Sequence, residues 1–275
     1  MLERVFCHIG KAEEPGEQDW ECFRRQAANA LLVTDSQQVI DRAAREWSRL
    51  GSHSTRIVPI IGVEKDGTES LSGCNYVVQR IEDLDDEFLD RVYRRVHRLP
   101  WTIIETKRCI VRETTEGDLD RLYEIYADPA ITRYMEGLYR SREEEASYLR
   151  EYQDRIYAFY GFGVWSIIEK QSGRMIGRAG ISMRQDYEEP ELGFCIDHDF
   201  WHQGYAYEVC SAILRFMVET YEIPVIQALV QKENAASVSL LERLGFSWEG
   251  QAVLEGIQHE RYLYFGENDQ NNSEQ

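Results

Sequence analysis

The chain has 275 residues, a hydrophobic fraction of 43% and a formal net charge of −18 at neutral pH. No apolar run approaches the roughly 20 residues of a membrane span and no signal-peptide pattern opens the chain, so we expect a cytoplasmic protein without a membrane partner. A surface this negative repels phosphate backbones and favours cationic partners, so nucleic acid is not expected as a ligand. Acidic balance is also common among soluble proteins in general.

The first hundred residues predict a small α/β unit with a short, partly parallel sheet. Short apolar runs between turn residues indicate strands at Leu31–Thr34, Arg56–Val63 and Asn75–Gln79. Helical spacing of apolar residues predicts a helix from Val39 to Leu50, and a second helix is expected from Asp83 to Leu99. Residues 1–30 are polar and indicate only partly helical structure.

Two hydroxyls in this unit, Thr34 and Ser36, follow a strand as the phosphate-binding hydroxyl of haloacid-dehalogenase phosphatases does. Those enzymes also need an Asp-x-Asp pair at a strand end, whereas Asp83 and Asp85 open a helix, where capping explains them. We therefore expect a scaffold, docking or acceptor-selecting role for this unit rather than catalysis.

Pro100 marks the expected hinge between two domains. We assign residues 1–100 to the small α/β domain, residues 101–267 to a second domain, and residues 268–275 to a disordered polar tail.

The second domain begins with the strand-like run Trp101–Arg112, followed by two helices. Asp118 and Ser141 are typical N-caps, and the helix after Ser141 is expected to continue to Phe159. Alternation in Gly163–Lys170 and Arg174–Met183 then predicts an antiparallel hairpin.

A strand, Glu191–Asp197, follows, and a helix begins near Ala206 after the glycine Gly204. The first N–H groups of a helix lack internal partners and the helix dipole favours negative charge there, so this junction predicts a phosphate site. Val225–Val230 is expected to be another strand, and Ser247–Phe265 a closing hairpin.

Four motifs in this order resemble the GNAT superfamily of acyl-CoA-dependent N-acetyltransferases, especially the branch that acetylates the N-termini of ribosomal proteins. The resemblance covers roughly Lys107–Phe265 and implies a mixed, mostly antiparallel, splayed sheet flanked by helices. The motifs are Tyr160-Gly161-Phe162-Gly163-Val164-Trp165, Gly173 to Ile181, the segment from Glu191 through Trp201-x-x-Gly204-x-Ala206, and Asn234-Ala235-Ala236-Ser237 with Leu244-Gly245-Phe246.

The resemblance implies acetyl-CoA as co-substrate, although a longer acyl donor stays open. In this family the backbone after Gly193 holds the pantetheine and polarises the thioester, the glycine loop binds the pyrophosphate, and an asparagine contacts the CoA arm. The residues implied to bind the donor are Phe194, Cys195, Ile196, His202, Gln203, Gly204, Tyr205, Ala206, Tyr207 and Asn234.

Two residues are candidates for the proton transfers. Glu191 occupies the position from which a family glutamate deprotonates the amine through water, although a surface carboxylate in a turn is an equal alternative. Many GNAT enzymes use a tyrosine as the acid, but Leu241 stands at that position here. Ser237 is then the nearest candidate hydroxyl, and capping of the helix with Asn234 is the more ordinary explanation.

The resemblance places the walls of the acceptor site around the helices that follow Asp118 and Ser141. Aromatic residues in and near this region are therefore the candidates for binding the acceptor. They are Tyr134, Tyr139, Phe162 and Trp165. An aromatic stripe is more often plain core, and that alternative stays open.

A zinc site is the alternative interpretation of the segment that contains the glycine loop. Cys195, His198 and His202 have suitable residue types, but no fourth ligand is evident, so no metal is expected. The six cysteines contain no C-x-x-C pair and are expected to be reduced thiols.

The sequence thus favours an acyl-CoA-dependent N-acetyltransferase that joins an acetyl group to a primary amine by direct attack in a ternary complex. The acceptor is expected to be a small-molecule amine or a protein N-terminus, and a homodimer is a possible assembly. The alternative is a non-catalytic protein of the same fold that binds a CoA ester or a partner.

Overall fold

The computed structural model describes residues 2–11, 13–26, 29–48, 59–64, 70–135, 137–185, 187–254 and 256–266. The chain divides into two compact units, Met1–Trp101 and Thr102–Gln275. The predicted tail, residues 268–275, lies outside the described residues, as do the predicted helix end at Leu50 and the start of the predicted strand at Arg56.

Among its described residues, the first unit contains four parallel strands in the order β1-β2-β3-β4. The prediction of a small α/β unit with a short parallel sheet is confirmed. Strand β1 was not predicted, because it is short and has polar residues at both ends. The strands are β1 Arg4–His8, β2 Ala30–Thr34, β3 Ile60–Val63 and β4 Tyr76–Val78; the helices are α1 Glu17–Gln26, α2 Gln37–Ser48 and α3 Asp86–Val96.

Helices cover both faces of this small sheet, as parallel sheets require. Trp20 and Phe23 of α1 pack with Val39 of α2 against one face, and Val92 and Tyr93 of α3 pack against the other. All five residues of β2 are consequently buried.

The described part of the second unit contains an eight-stranded sheet in the order β11-β12-β10-β9-β8-β7-β6-β5. Of the strand pairs that the structure describes in this sheet, only β9 and β10 run parallel, so the prediction of a mixed, mostly antiparallel sheet is confirmed. The strands are β5 Thr102–Glu105, β6 Cys109–Arg112, β7 Val164–Glu169, β8 Met175–Ser182, β9 Glu191–Ile196, β10 Val225–Val230, β11 Ser247–Leu254 and β12 Ile257–Phe265.

The helices of this unit include α4 and α6, which begin near the predicted caps. Ser141 Oγ accepts a hydrogen bond from Glu144 N at 3.3 Å. The helix predicted to run unbroken to Phe159 instead passes through a π-helical turn at Gln153–Tyr157. The bounds are α4 Leu119–Tyr126, α5 Pro129–Thr132, α6 Arg142–Tyr152, α7 Ala158–Tyr160, α8 Tyr205–Tyr221 and α9 Ala235–Arg243.

Two helix layers cover opposite faces of the large sheet. On the α8 face, Ile181 and Leu192 pack against Val209 and Ile213 of α8. On the α4/α6 face, Cys195 packs with Leu122, Ile125 and Leu149. Successive side chains of β9 therefore point alternately to the two layers. None of the helices in the described ranges is both long and apolar enough to traverse a bilayer.

A buried carboxylate ties the start of α4 to the sheet. Asp118 accepts two hydrogen bonds from Arg112, from Nη1 at 2.8 Å and from Nη2 at 2.6 Å. It also accepts from Thr115 N at 2.9 Å and from Ser166 Oγ at 3.3 Å. Because these donors are largely hidden from water, losing their acceptor would leave several polar groups unpaired.

We predict that Asp118→Ala lowers the free energy of unfolding by about 3 kcal/mol, the usual cost of breaking a buried ion pair from one side. Urea denaturation measures the change. Asp120→Ala is the matched control, because Asp120 pairs with Arg142 but its side chain is 85% exposed, and its loss should cost less than about 0.5 kcal/mol. Equal effects of the two substitutions would contradict the prediction.

Candidate active site

The central strands of the large sheet separate at one point. β9 and β10 pair only through Glu191 and Gln227, and Gln227 N donates to Pro190 O at 2.9 Å. Beyond this pair the strands diverge, while β9 stays paired with β8 along its whole length. The predicted splay is therefore present, and it opens one edge of β9.

The backbone groups on that open edge follow from the pairing of β9 with β8. Asp197 N donates to Ile176 O of β8 at 2.8 Å, and N–H groups alternate in direction along a strand. The N–H groups of Phe194 and Ile196 therefore face the gap towards β10. The N–H of Cys195 faces β8, where Cys195 pairs with Arg178, so the structure excludes the Cys195 amide from the predicted set.

The segment after β9 forms a compact loop before α8. Asp197 caps a single 3-10 turn, His198–Phe200, and Trp201 Nε1 donates to Ile196 O at 2.6 Å. His202 and Gly204 both have left-handed backbone, with φ of 58° and 80°. Such conformations reverse the chain tightly, so the loop delivers the start of α8 to the edge of the gap.

Gly204 is the N-cap of α8 and offers no side chain to the first N–H groups of the helix. The amides of Tyr205, Ala206 and Tyr207 are thus available for an anion at the helix N-terminus. The side chain of Tyr205 is buried, and its hydroxyl donates to Glu169 Oε1 at 2.6 Å. The contribution of Tyr205 to ligand binding is therefore limited to its backbone.

Sequence reasoning missed the ion pair that fixes this loop. Arg108 donates from Nη1 to Gln203 O at 2.9 Å and from Nε to Glu208 at 2.6 Å, and its guanidinium lies 4.0 Å from the centre of the Tyr205 ring. Burial raises the pKa of Glu208, but hydrogen bonds from Thr106 and Arg108 outweigh it, so the pKa lies below its ordinary value. Glu208 therefore remains ionised at neutral pH and keeps its pairing with Arg108.

The candidate base, Glu191, is buried rather than a surface carboxylate, with 7% of the residue exposed. It lies at the point where β9 and β10 separate. Arg184, in the loop before β9, donates to it from Nε and, at 3.3 Å, from Nη2. The carboxylate is consequently held in a fixed position, and Arg184 was not foreseen as its partner.

Asn234 and Ser237 lie at the start of α9. Asn234 Oδ1 accepts from Ser237 N at 3.3 Å, so the pair forms the helix cap that the sequence suggested as the ordinary explanation. The amide nitrogen of Asn234 takes no part in this cap and can still donate to a ligand. Leu241, at the family's tyrosine position, is a core residue with 1% exposure.

The four aromatic candidates for the acceptor site fall into two groups. Trp165 is fully buried and packs against Phe216 of α8, and Phe162 is buried against Tyr221. Both side chains lie in the core, and their contact with substrate stays a prediction. Tyr134 is half-buried and donates to Glu233 O at 3.2 Å.

Tyr139, the fourth candidate, is 52% exposed. Its ring lies 5.7 Å from that of Tyr148 on α6, measured between centroids. Tyr139 is therefore the most exposed of the four candidates, and its contact with substrate stays a prediction.

The three potential zinc ligands do not form a cluster. Cys195 points towards α4 in the core, whereas His198 Nδ1 lies 3.0 Å from Asp128 Oδ2. Among the residues that the structure describes, no group of three or more His, Cys, Asp or Glu side chains is arranged to hold a metal ion.

The sequence matches the acetyltransferase (GNAT) domain family over residues 108–247, just over half of the chain. The chain belongs to the GNAT acetyltransferase family. Because this family transfers acetyl groups from acetyl-CoA, the protein is an N-acetyltransferase.

Relatives of this N-acetyltransferase support the same assignment. A [ribosomal protein uS5]-alanine N-acetyltransferase of Escherichia coli is 30% identical over 166 residues, which span 56% of this chain and 82% of the relative. An uncharacterised N-acetyltransferase of Bacillus subtilis is 28% identical over 155 residues, with 54% and 84% covered.

Solved structures share the fold. The ribosomal-protein-S5-alanine acetyltransferase of Vibrio fischeri superimposes with a TM-score of 0.53 at 15% identity, covering 60% of this chain and 97% of that one. At this identity the likeness concerns the fold alone.

We predict that Gly204→Ala raises the KM for acetyl-CoA by roughly tenfold or more, because a methyl group there would approach the pyrophosphate that the first amides of α8 are proposed to bind. The protein itself leaves room, since the nearest atom to the added Cβ would be Arg108 Nη2 at 3.7 Å. Steady-state kinetics with varied acetyl-CoA measures the effect.

Gly173→Ala is the matched control for this substitution. Gly173 has a similar φ of 69°, and its added Cβ would meet nothing within 4 Å. Both variants therefore carry similar backbone strain, but only the change at Gly204 should raise the KM for acetyl-CoA. Equal KM values in the two variants would overturn the assignment of the loop.

Proposed function

We propose that this N-acetyltransferase transfers an acetyl group from acetyl-CoA to a primary amine by direct attack within a ternary complex. The amine nitrogen attacks the thioester carbonyl carbon, the carbon–sulfur bond breaks, and coenzyme A leaves as a thiolate that takes up a proton. The separation of β9 from β10 carries the proposal, since it exposes backbone donors beside a helix N-terminus.

The donor is proposed to lie along the open edge of β9. The N–H groups of Phe194 and Ile196 would hold the pantetheine arm and polarise the thioester carbonyl, where negative charge develops during attack. The pyrophosphate would bind the loop from His202 to the first turn of α8, and Asn234 would contact the arm from α9. Nothing in this chemistry requires a metal.

Glu191 is proposed as the base that accepts the amine proton through a water molecule. Its buried position where the two strands part supports this role, because a fixed carboxylate beside the thioester site can hold a water molecule in a defined position. The ion pair with Arg184 fixes the direction of the carboxylate. Ser237 remains the proposed proton donor to the thiolate, because Leu241 has no ionisable group.

The acceptor is proposed to be a protein N-terminus, and a small-molecule amine is kept as an alternative. The E. coli relative that acts on an N-terminal alanine supports the first choice, and the net charge of −18 suits a cationic amine. The proposal includes a cytoplasmic location, and a homodimer remains a possible assembly.

We further propose that residues 1–100 form a separate domain with a scaffold, docking or acceptor-selecting role, and that residues 101–267 form the catalytic domain. Dense packing within Met1–Trp101 and within Thr102–Gln275 supports this division.

A second candidate is a protein of this fold that binds acetyl-CoA without turning it over. The apolar Leu241 at the tyrosine position favours it, because no phenol can protonate the leaving thiolate there. Release of free thiol from acetyl-CoA in the presence of amines distinguishes the two, since a binding protein leaves the thioester intact.

The test of the proposed function is acetylation of alanine-initiated peptides, measured by thiol release and by the mass of the product. We expect turnover by the unaltered enzyme and a loss of roughly 10²-fold in kcat for Glu191→Gln at neutral pH, because the amide cannot accept the proton. The KM for acetyl-CoA should stay unchanged.

Glu188→Gln is the control, since Glu188 is an exposed glutamate in the loop before β9. It should retain full activity. An unchanged rate for Glu191→Gln would remove Glu191 from the mechanism, and acetyl-CoA binding without thiol release from any amine would favour the binding protein.

A further inference from the structure

A buried arginine without a negatively charged partner lies on the α4/α6 face of the sheet. Arg178 of β8 is 9% exposed, and its Nε has no hydrogen-bond partner among the described residues. Those residues also provide no carboxylate within ion-pairing distance, in contrast to Arg184 with Glu191 and Arg121 with Asp197. Burying a charge is unfavourable unless something compensates it.

The strand register gives the direction of this side chain. Arg178 stands directly opposite Cys195 in the β8–β9 pairing, and opposite residues of an antiparallel pair share a face. Cys195 packs with α4 and α6, whereas Ala179, the next residue of β8, belongs to the core under α8. The guanidinium therefore points to the side from which we expect the acceptor to approach.

The groups around Arg178 are neutral at physiological pH. They are the phenols of Tyr126, Tyr152 and Tyr157 and the thiol of Cys195. Burial raises the pKa of each of these groups above its ordinary value. None of them therefore becomes the anion that would neutralise the guanidinium.

A row of tyrosines leads from the surface to this arginine. Centroid distances of 5.7, 5.7 and 5.1 Å separate Tyr139, Tyr148, Tyr152 and Tyr157 in turn. Tyr139 and Tyr148 are exposed and Tyr157 is buried. The row thus forms a continuous series of amphipathic side chains from the surface to the inner end of the site.

The strand beside Arg178 leaves room for a ligand. A Cβ added to Gly193 would meet nothing within 4 Å. Gly193 precedes Cys195 by two residues, roughly 7 Å along the strand, and it is adjacent to Phe194, whose N–H we propose to face the thioester. A small acceptor lying over Gly193 would therefore have its amine near the thioester and its next few atoms near Arg178.

We infer that Arg178 binds a carboxylate that the acceptor carries within a few bonds of its primary amine. The inference rests on the proposed function and specifies its acceptor class. A guanidinium forms two parallel hydrogen bonds to a carboxylate, which would satisfy the orphaned Nε and neutralise the buried charge. The carboxylate belongs either to a free amino acid or to an acidic side chain next to the N-terminal residue of a peptide.

Two matched pairs of acceptors test the inference and distinguish these sources. The first pair is alanine and alaninamide; the second is Ala-Asp-Ala-amide and Ala-Asn-Ala-amide. We expect the unaltered enzyme to prefer the acid of at least one pair by about tenfold or more in kcat/KM. Equal values within both pairs would overturn the inference.

Arg178→Gln should abolish this preference by raising the KM of the acidic acceptor, with the KM for acetyl-CoA unchanged. Arg174→Gln is the control, because Arg174 is an exposed arginine in the turn before β8. It should behave as the unaltered enzyme does. If Arg178→Gln fails to fold, the comparison of acid and amide acceptors on the unaltered enzyme still tests whether the site binds a carboxylate.

Binding of acetylated products tests Arg178 independently of turnover. The calorimetric probes are N-acetylalanine with N-acetylalaninamide, and the two N-acetylated tripeptides, each titrated in the presence of coenzyme A. If an acid binds at least tenfold more tightly than its amide, the inference is supported. If in addition no acceptor is acetylated, only the proposed function is refuted. Equal binding within both pairs refutes the role of Arg178.

Discussion

The candidate active site depends on two strands that part after a single pairing. Glu191 and Gln227 join β9 to β10, and beyond them the N–H groups of Phe194 and Ile196 have no strand partner. Unpaired backbone donors inside a sheet are unfavourable unless a ligand satisfies them. The fold thus leaves these N–H groups without sheet hydrogen bonds, so that they can bind a ligand. The rest of the second unit keeps this edge of β9 open.

Three supports hold the edge in place. β8 pairs with the whole of β9 on the other side, the indole of Trp201 fastens the following loop to Ile196, and Arg108 links that loop to Glu208. The helix N-terminus and the open edge therefore lie at fixed positions without a ligand. Such preorganisation reduces the reorganisation needed when charge develops on the thioester.

Local sequence signals predicted the elements and the glycine loop, because caps, periodicity and Gly204 act over a few residues. Features that depend on strand register could not be read in this way. A shift of one residue in strand register would turn the Trp165 side chain out of the core. The same shift would reverse the direction of the Cys195 amide. The pair Arg108 and Glu208 is separated by 100 residues, and β1 has polar ends that conceal it.

Amide hydrogen exchange, resolved to single residues by NMR with and without acetyl-CoA, tests the open edge of β9 most directly. We expect the amides of Phe194 and Ile196 to exchange readily in the free protein and to become protected when acetyl-CoA binds. The amides of Gly193 and Cys195, which face β8, should be protected in both states. Unchanged exchange at Phe194 and Ile196 in the bound protein would show that the open edge of β9 does not bind acetyl-CoA.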